Sequence, residues 1–287
     1  MDKFLQMVVS GLSSGSIYAL AGLGMGMVFN VSRVINLAQG EFLTWGSLFT
    51  IALLVIKLPL YICIPIAVIS AIIMGLLFER FVIHPAWNST QTVLLMSTVA
   101  FSSILKGVYL LGWGKDLLSI PSFSGEKPVN WGGLIIPTQV FWVLGALVLL
   151  GALSWYFFTR TLTGKGIIAV AENRDAAALV GVNVRRAIQI SFALSAAVGA
   201  VAGVAAAPIT FVVYDGGTMI GLKGFIALTL GGMQSIWGGF LGGIILGLLE
   251  ALGAGFISAE YKDSIAFVIM IIFLYVRPNG ILSHKRA

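Results

Sequence analysis

The sequence predicts an all-α polytopic membrane bundle of eight or nine spans, and three observations carry that prediction. Hydrophobic residues fill 59% of the 287 positions and charged residues only 10%. With a mean hydropathy of +1.02, too little polar surface remains to solvate a globule of this length. The apolar residues fall in runs of the length a helix needs to cross a bilayer, about 20 residues. None of these runs alternates with the period of two that marks a barrel strand.

In chain order the expected spans are about 4–29, 34–56, 60–79, 91–112, 139–159, 188–213, 237–256 and 264–277, and a shorter, glycine-broken piece at about 222–234 makes nine if it crosses. All belong to one transmembrane domain, residues 1–287. The first run contains Ala19-Leu20-Ala21, which resembles a cleavage site, but its only preceding cation is Lys3 and the run continues to Phe29. It reads as a retained helix rather than a secretory leader. The second opens on Asn36, Gln39 and Glu41, two amides and a carboxylate at the head of a membrane segment. The third holds Cys63, the lone cysteine, which can form no intrachain disulfide and is expected to pack. Residues 113–138, with Gly, Pro, Trp and mixed charge, read as the main outer loop. The short piece carries Gly231, Gly232 and Gln234. Non-helical backbone survives at membrane depth only inside protein or beside a wet cavity. Asn36, Gln39, Glu41, Gly231, Gly232 and Gln234 are therefore candidates to line a translocation path.

The chain has 35 glycines, many spaced by four: Gly11 and Gly15, Gly22 and Gly26, Gly199 and Gly203, and Gly239, Gly243 and Gly247. Small residues at that spacing let helix backbones approach where lipid supplies no hydrophobic drive. Lys106 and Glu250 lie inside spans, where a charge is costly enough to be a functional candidate. They are read as snorkelling groups or as an intramembrane ion pair.

The formal net charge of +6 would suggest nucleic acid in a soluble protein; here it is a topology signal and no nucleic-acid partner is expected. Placing the 160–186 connection in the cytoplasm with nine crossings also places 30–40, 80–90 and 277–287 inside. Those segments hold ten of the seventeen Lys and Arg, among them Arg277, Lys285 and Arg286. The C-terminus is then cytoplasmic and the N-terminus outside.

The 160–186 connection is long, polar and helix-favouring, with alanines at 169, 171, 176, 177 and 178 and acids at Glu172 and Asp175. A helix is expected from about Gly164 to Val180, with Gly181 as its stop and Arg185 and Arg186 beyond it. An exposed Ala- and Leu-bearing helix alongside a membrane suits docking into a groove on a soluble partner.

No phosphate-binding loop occurs; Gly164-Lys165-Gly166 lacks its spacing and its hydroxyl, so this chain is not expected to bind ATP. His84 and His284 have no partner spacing for metal or acid–base chemistry, and no nucleophile motif is present. No catalytic residue, metal site or resident cofactor is expected.

Asp175-Ala176-Ala177-Ala178-Leu179-Val180-Gly181 resembles the EAA-x-x-x-G loop of ABC-importer permeases, with Asp where the family usually has Glu. Gly11-Leu-x-x-Gly15-x-x-Tyr18-Ala19-Leu20, Val34 to Phe42, Gly224 to Gly243, Gly247-x-x-Glu250 and Arg277-Pro278-x-Gly280 resemble, in order, permeases of the branched-chain amino acid (Liv-type) importers. The resemblance implies an inner-membrane subunit that works with a second homologous permease, two ABC ATPase subunits that bind the ATP, and a soluble substrate-binding protein outside. It implies that Glu172, Asn173, Arg174, Asp175, Ala176, Ala177, Leu179 and Gly181 contact the ATPase. Branched-chain or other hydrophobic amino acids are the favoured cargo; urea, short amides and aromatic or organic acids are alternatives within the family. The rival class is an ion-coupled secondary transporter.

Overall fold

The computed structural model describes residues 2–125, 127–131, 134–256, 258–277 and 279–282. Of the residues read above, Pro278, His284, Lys285 and Arg286 lie outside the described residues. In chain order the elements are α1 (Asp2–Ser32), α2 (Gln39–Val55), α3 (Leu60–Phe78), α4 (Gln91–Trp113), the strands β1 (Val129–Trp131) and β2 (Leu134–Ile136), α5 (Gln139–Arg160), α6 (Leu162–Glu172), α7 (Arg174–Leu179), α8 (Val184–Thr210), α9 (Gly216–Gly231), α10 (Ile236–Phe256) and α11 (Lys262–Val276). A π-turn, Glu79–Ile83, prolongs α3.

Among the described residues six helices are long and apolar enough to cross a membrane: α1, α3 with its π-turn, α4, α5, α8 and α10. That is fewer than the eight or nine apolar runs of the sequence. The reason is that a run of apolar residues need not be one helix. The run from 34 becomes helical only at Gln39, and the run near 222–234 is α9, ending at Gly231. At 17, 16 and 15 residues, α2, α9 and α11 are about 22–26 Å long, short of the roughly 30 Å of hydrocarbon.

Burial sorts the helices into layers. The most apolar window of α1 is 83% buried and that of α8 72%, against 28% for α3, α4 and α5. α1 and α8 thus form the centre, and α3 to α5 lie outside them with one apolar face exposed, including Ile69, Ile104, Leu111 and Val148. α1 and α10 run antiparallel along their glycines. Gly22 meets the backbone of Gly239, and Gly15 that of Gly243 and Ile244. At Gly22 even a methyl group would strike the Gly239 backbone. The four-residue glycine spacing is therefore a packing seam.

A second close approach joins the two short helices. Gly40, in the first turn of α2, lies on the backbone of Gly217 and Gly221 in the first turns of α9. Both helices thus begin inside the bundle, at a shared junction beside α8, where Gly46 packs on Ala200. At the far end of α8, Val212 exchanges backbone hydrogen bonds with Leu118 at 2.8 and 2.9 Å, tying the 114–138 loop to the bundle.

Candidate functional site

The backbone break between α1 and α2 builds the first half of the site. Arg33 adopts φ +60°, a left-handed conformation uncommon outside glycine, and turns the chain off the end of α1. The Ser32 hydroxyl oxygen accepts from the Val34 N–H at 3.1 Å, and Asn36 Oδ1 accepts from the Ala38 N–H at 3.1 Å. The chain then re-enters the protein. Asn36, Gln39 and Glu41 are all completely buried.

Their partners come from α4 and α8. The Thr98 hydroxyl of α4 accepts from the Leu37 N–H at 3.3 Å and faces the Ile35 carbonyl at 3.4 Å. Gln39 and Ser195 of α8 pair reciprocally: Ser195 Oγ donates to Gln39 Oε1 at 2.6 Å, and Gln39 Nε2 donates to the Ser195 carbonyl at 3.2 Å. Ser102 Oγ donates to Glu41 Oε1 at 2.8 Å, and the Tyr109 hydroxyl donates to the Glu41 carbonyl at 3.0 Å. At this seam Glu41 Oε2, Asn36 Nδ2 and Thr218 Oγ1 of α9 are buried without a hydrogen bond, and Thr218 lies within reach of the Glu41 carboxylate. Unpaired buried polar atoms are costly and uncommon, so this seam is poised to take another partner.

The face of α4 that makes these bonds was not singled out in the sequence. Thr98, Ser102 and Tyr109 are spaced by four and seven, one helical face on an otherwise apolar helix. The signal was that periodicity, which a window average hides. Lys106, one turn beyond Ser102 on the same face, lies within electrostatic reach of Glu41.

Of the two readings of Lys106 and Glu250, the ion pair between them is corrected: Glu250 pairs with other lysines. Glu250 of α10, fully buried, is 2.8 Å from Lys223 Nζ of α9 and 3.5 Å from Lys262 Nζ of α11, and it accepts from the Tyr18 hydroxyl at 3.2 Å. Lys223 also lies 2.6 Å from Asp263 and 5.0 Å over the Tyr18 ring. Lys223 falls at the very edge of the apolar run that starts at about residue 222. The helix in fact starts at Gly216, which puts Lys223 two turns inside it. This network binds α1, α9, α10 and α11 together.

The remaining candidate path residues stand apart. Gly231 packs backbone to backbone on Gly238, and Gly232 on Gly280, closing the α9–α10 hairpin. Ile281 and Leu282 donate backbone hydrogen bonds to the carbonyls of Leu230 and Gly231 at 3.0 and 2.9 Å. Gln234 is exposed in the turn that follows α9. The structure does not bring these three to the Asn36–Glu41 seam.

The polar connection is an elbow rather than the single helix expected over 164–180. It breaks at Asn173, whose backbone is extended and whose Oδ1 accepts from the Ala176 N–H at 3.0 Å, capping α7. The alanine run favours helix on both sides, but the Asn cap offers the backbone a competing bond and starts a new one. Within α7, Ala177 is buried, Asp175 and Ala176 are exposed, and Leu179 and Val180 just beyond it are 88% and 79% exposed. Gly181 then adopts φ +88° and ends the turn.

Two arginines clasp this elbow to the start of the seam. Arg174 donates from Nη2 to the Val31 carbonyl, in the last turn of α1, at 2.9 Å. Arg33 donates from Nη2 to the Ala171 carbonyl, in the last turn of α6, at 3.1 Å. Each guanidinium satisfies a carbonyl that a helix end would otherwise leave open. Arg174 lies 4.7 Å over the Trp87 ring. Burial, and then the nearby Arg33 charge, hold its pKa below the ordinary guanidinium value. At this same end a cavity of about 490 Å³ opens between α1, the start of α4 and the turn after α9, lined by Phe29, Arg33, Ile35, Gln91, Thr92, Leu95 and Met233.

Comparison with known proteins gives a consistent group. Residues 7–274 match the family model described as branched-chain amino acid transport system / permease component. The high-affinity branched-chain amino acid transport system permease protein LivH of Salmonella typhimurium is 34% identical, over 97% of this chain and 95% of that protein. The corresponding permease protein BraD of Pseudomonas aeruginosa is 32% identical over the same shares. The autoinducer 2 import system permease protein LsrC of Klebsiella pneumoniae is 28% identical, over 67% of this chain and 58% of that protein.

Proposed function

The chain belongs to the permease components of branched-chain amino acid transport systems, and from that premise we propose that it forms half of the membrane path of an ATP-driven importer for branched-chain or other hydrophobic amino acids. A second, homologous permease supplies the other half. Two ABC ATPase subunits bind the ATP, and a soluble binding protein delivers the cargo from outside. The protein sits in the bacterial inner membrane with the elbow and the C-terminus in the cytoplasm. The three short helices α2, α9 and α11 cross as broken or tilted elements, which makes nine crossings.

The observation that carries this reading is the reciprocal arginine clasp. An ATPase docked on α7 through Leu179 and Val180 has a hydrogen-bonded route to the membrane interior, from α7 through Arg174 and Arg33 to the 33–38 turn. That turn carries Asn36 and leads directly into Gln39 and Glu41. Displacing the elbow pulls on the turn, strains the Gln39–Ser195 pair and loosens the α2–α4–α8 junction. Substrate then passes a seam whose orphaned Glu41 oxygen and Asn36 amide supply one acceptor and one donor. An acceptor and a donor together suit a zwitterion, whose ammonium and carboxylate need one of each.

The test is reconstitution with the partner permease, the ATPases and the binding protein, followed by uptake of labelled leucine. Uptake is expected only with ATP, and Leu179→Asp is expected to weaken ATPase association by about tenfold, the worth of one well-buried apolar contact. Leucine uptake by the permeases without their ATPases would overturn the reading.

A further inference from the structure

We propose that the cavity between the elbow-side ends of α1 and α4 is a release site for the carboxylate of the transported amino acid, with Arg33 as the anion-holding residue, and that its occupancy from the cytoplasmic side slows the motor. This rests on the path reading above.

The lining fits that ligand class. Its volume, about 490 Å³, falls in the range of small-molecule pockets, about 300–1,000 Å³. One cation lines it, Arg33, with the neutral polar groups of Gln91 and Thr92 and an apolar wall that includes Phe29, Leu95 and Met233. No acid is among the lining residues. A single guanidinium beside apolar surface suits the carboxylate and apolar side chain of a small amino acid, with the Gln91 amide oxygen and the Thr92 hydroxyl as neutral acceptors for its ammonium. Of the Arg33 guanidinium, Nη2 is engaged by the Ala171 carbonyl at 3.1 Å. A guanidinium carries five N–H donors, so others remain for a carboxylate.

Its position continues the seam. Leu95 lines the cavity, and Thr98 and Ser102 follow it on the same face of α4, buried, up to the Glu41 carboxylate. The opposite face of α4, with Val93, Met96 and Ile104, is exposed. Arg33 and Ile35, of the turn that feeds the seam, line the cavity, and that continuity with the seam favours a transported solute over a lipid headgroup. Because Arg33 holds both the cavity and the Ala171 carbonyl, a bound carboxylate competes for or stiffens the same guanidinium that fastens the elbow. Product on the inner side thereby acts on the ATPase without a separate regulatory domain.

The test uses the assembled importer in phosphatidylcholine nanodiscs without binding protein, reading equilibrium binding of labelled leucine and the leucine dependence of ATP hydrolysis. Isovalerate, which keeps the carboxylate and the branched chain, is expected to compete with leucine, whereas leucinamide, which lacks the carboxylate, is not. Arg33→Gln is expected to weaken leucine binding by about tenfold or more, since a hydrogen bond to a charged group is removed. Arg33→Lys restores part of it. Leu95→Trp fills the cavity while leaving the clasp atoms in place, and is expected to abolish both leucine binding and inhibition of hydrolysis by leucine. Assembly of each variant with its ATPases, read by size-exclusion chromatography, controls for folding. Three results would each overturn the proposal: equal competition by leucinamide, wild-type binding in both Arg33→Gln and Leu95→Trp, or displacement of leucine by phosphatidylglycerol, which would mark a lipid site. If ATP-driven uptake runs normally and no inner binding is found, this inference fails and the importer reading stands.

Discussion

Two polar clusters sit inside the same apolar bundle, and they are built on opposite terms. Around Glu250, every charge meets an opposite charge: Lys223, Lys262 and Asp263 with the Tyr18 hydroxyl form one network across four helices. Around Glu41, neutral hydroxyls and amides do most of the bonding, and one carboxylate oxygen and one amide nitrogen are left over. Each carboxylate keeps one oxygen without a hydrogen bond, Glu250 Oε2 and Glu41 Oε2; the first is neutralised by two lysines, whereas the second has no salt bridge among the described residues and can exchange partners. The contrast teaches that a buried charge in a membrane helix is not by itself a marker of the path. The state of its partners separates a staple from a working surface.

Substitutions in each cluster test that contrast. The largest expected effect is on stability in the first: Glu250→Ala leaves Lys223 with the Tyr18 hydroxyl and the half-exposed Asp263 and should cost about 3–5 kcal/mol in reversible denaturation. The double change Lys223→Met with Glu250→Leu should recover most of that loss, since a well-packed apolar pair can replace a buried ion pair. Next comes function in the second cluster. Glu41→Gln keeps an oxygen for Ser102, so it should change stability by about 1 kcal/mol or less while slowing leucine uptake about tenfold. If Glu41→Gln unfolded the protein and Glu250→Ala merely slowed uptake, the two assignments would have to be exchanged. The smallest effect is expected at Ser195→Ala, which removes one hydroxyl bond to Gln39. It should cost about 1 kcal/mol and, by freeing the turn before α2, raise ATP hydrolysis uncoupled from transport.

The same contrast explains what could be read before the structure. Asn36, Gln39 and Glu41 were legible because polar residues at the head of an apolar run violate its composition. The elbow was legible for the same reason. Lys223 and the Thr98–Ser102–Tyr109 face were not, because hydropathy averaged over a window reports how apolar a segment is and not where its helix starts or which side faces inward. Glu250 was legible as a charge inside a span but its partners were not, since sequence spacing says nothing about which helices adjoin. The break at Asn173 escaped because a single capping side chain outweighs the helix preference of the alanines around it. Gly231 and Gly232 show the converse error: glycines at a helix end suggested open backbone near a path, and they serve close packing instead.

The glycine seam between α1 and α10 has a mechanical corollary. Two backbones in direct contact along Gly11, Gly15 and Gly22 leave no side chains to repack, so the pair has nothing to slide on and behaves as a stiff keel. The Val31 carbonyl that Arg174 grips lies at the end of that keel. A push on the elbow is therefore braced on one side and free on the other, and the stroke is delivered to the hinged turn and the short helix behind it, much as an oar turns against a fixed lock.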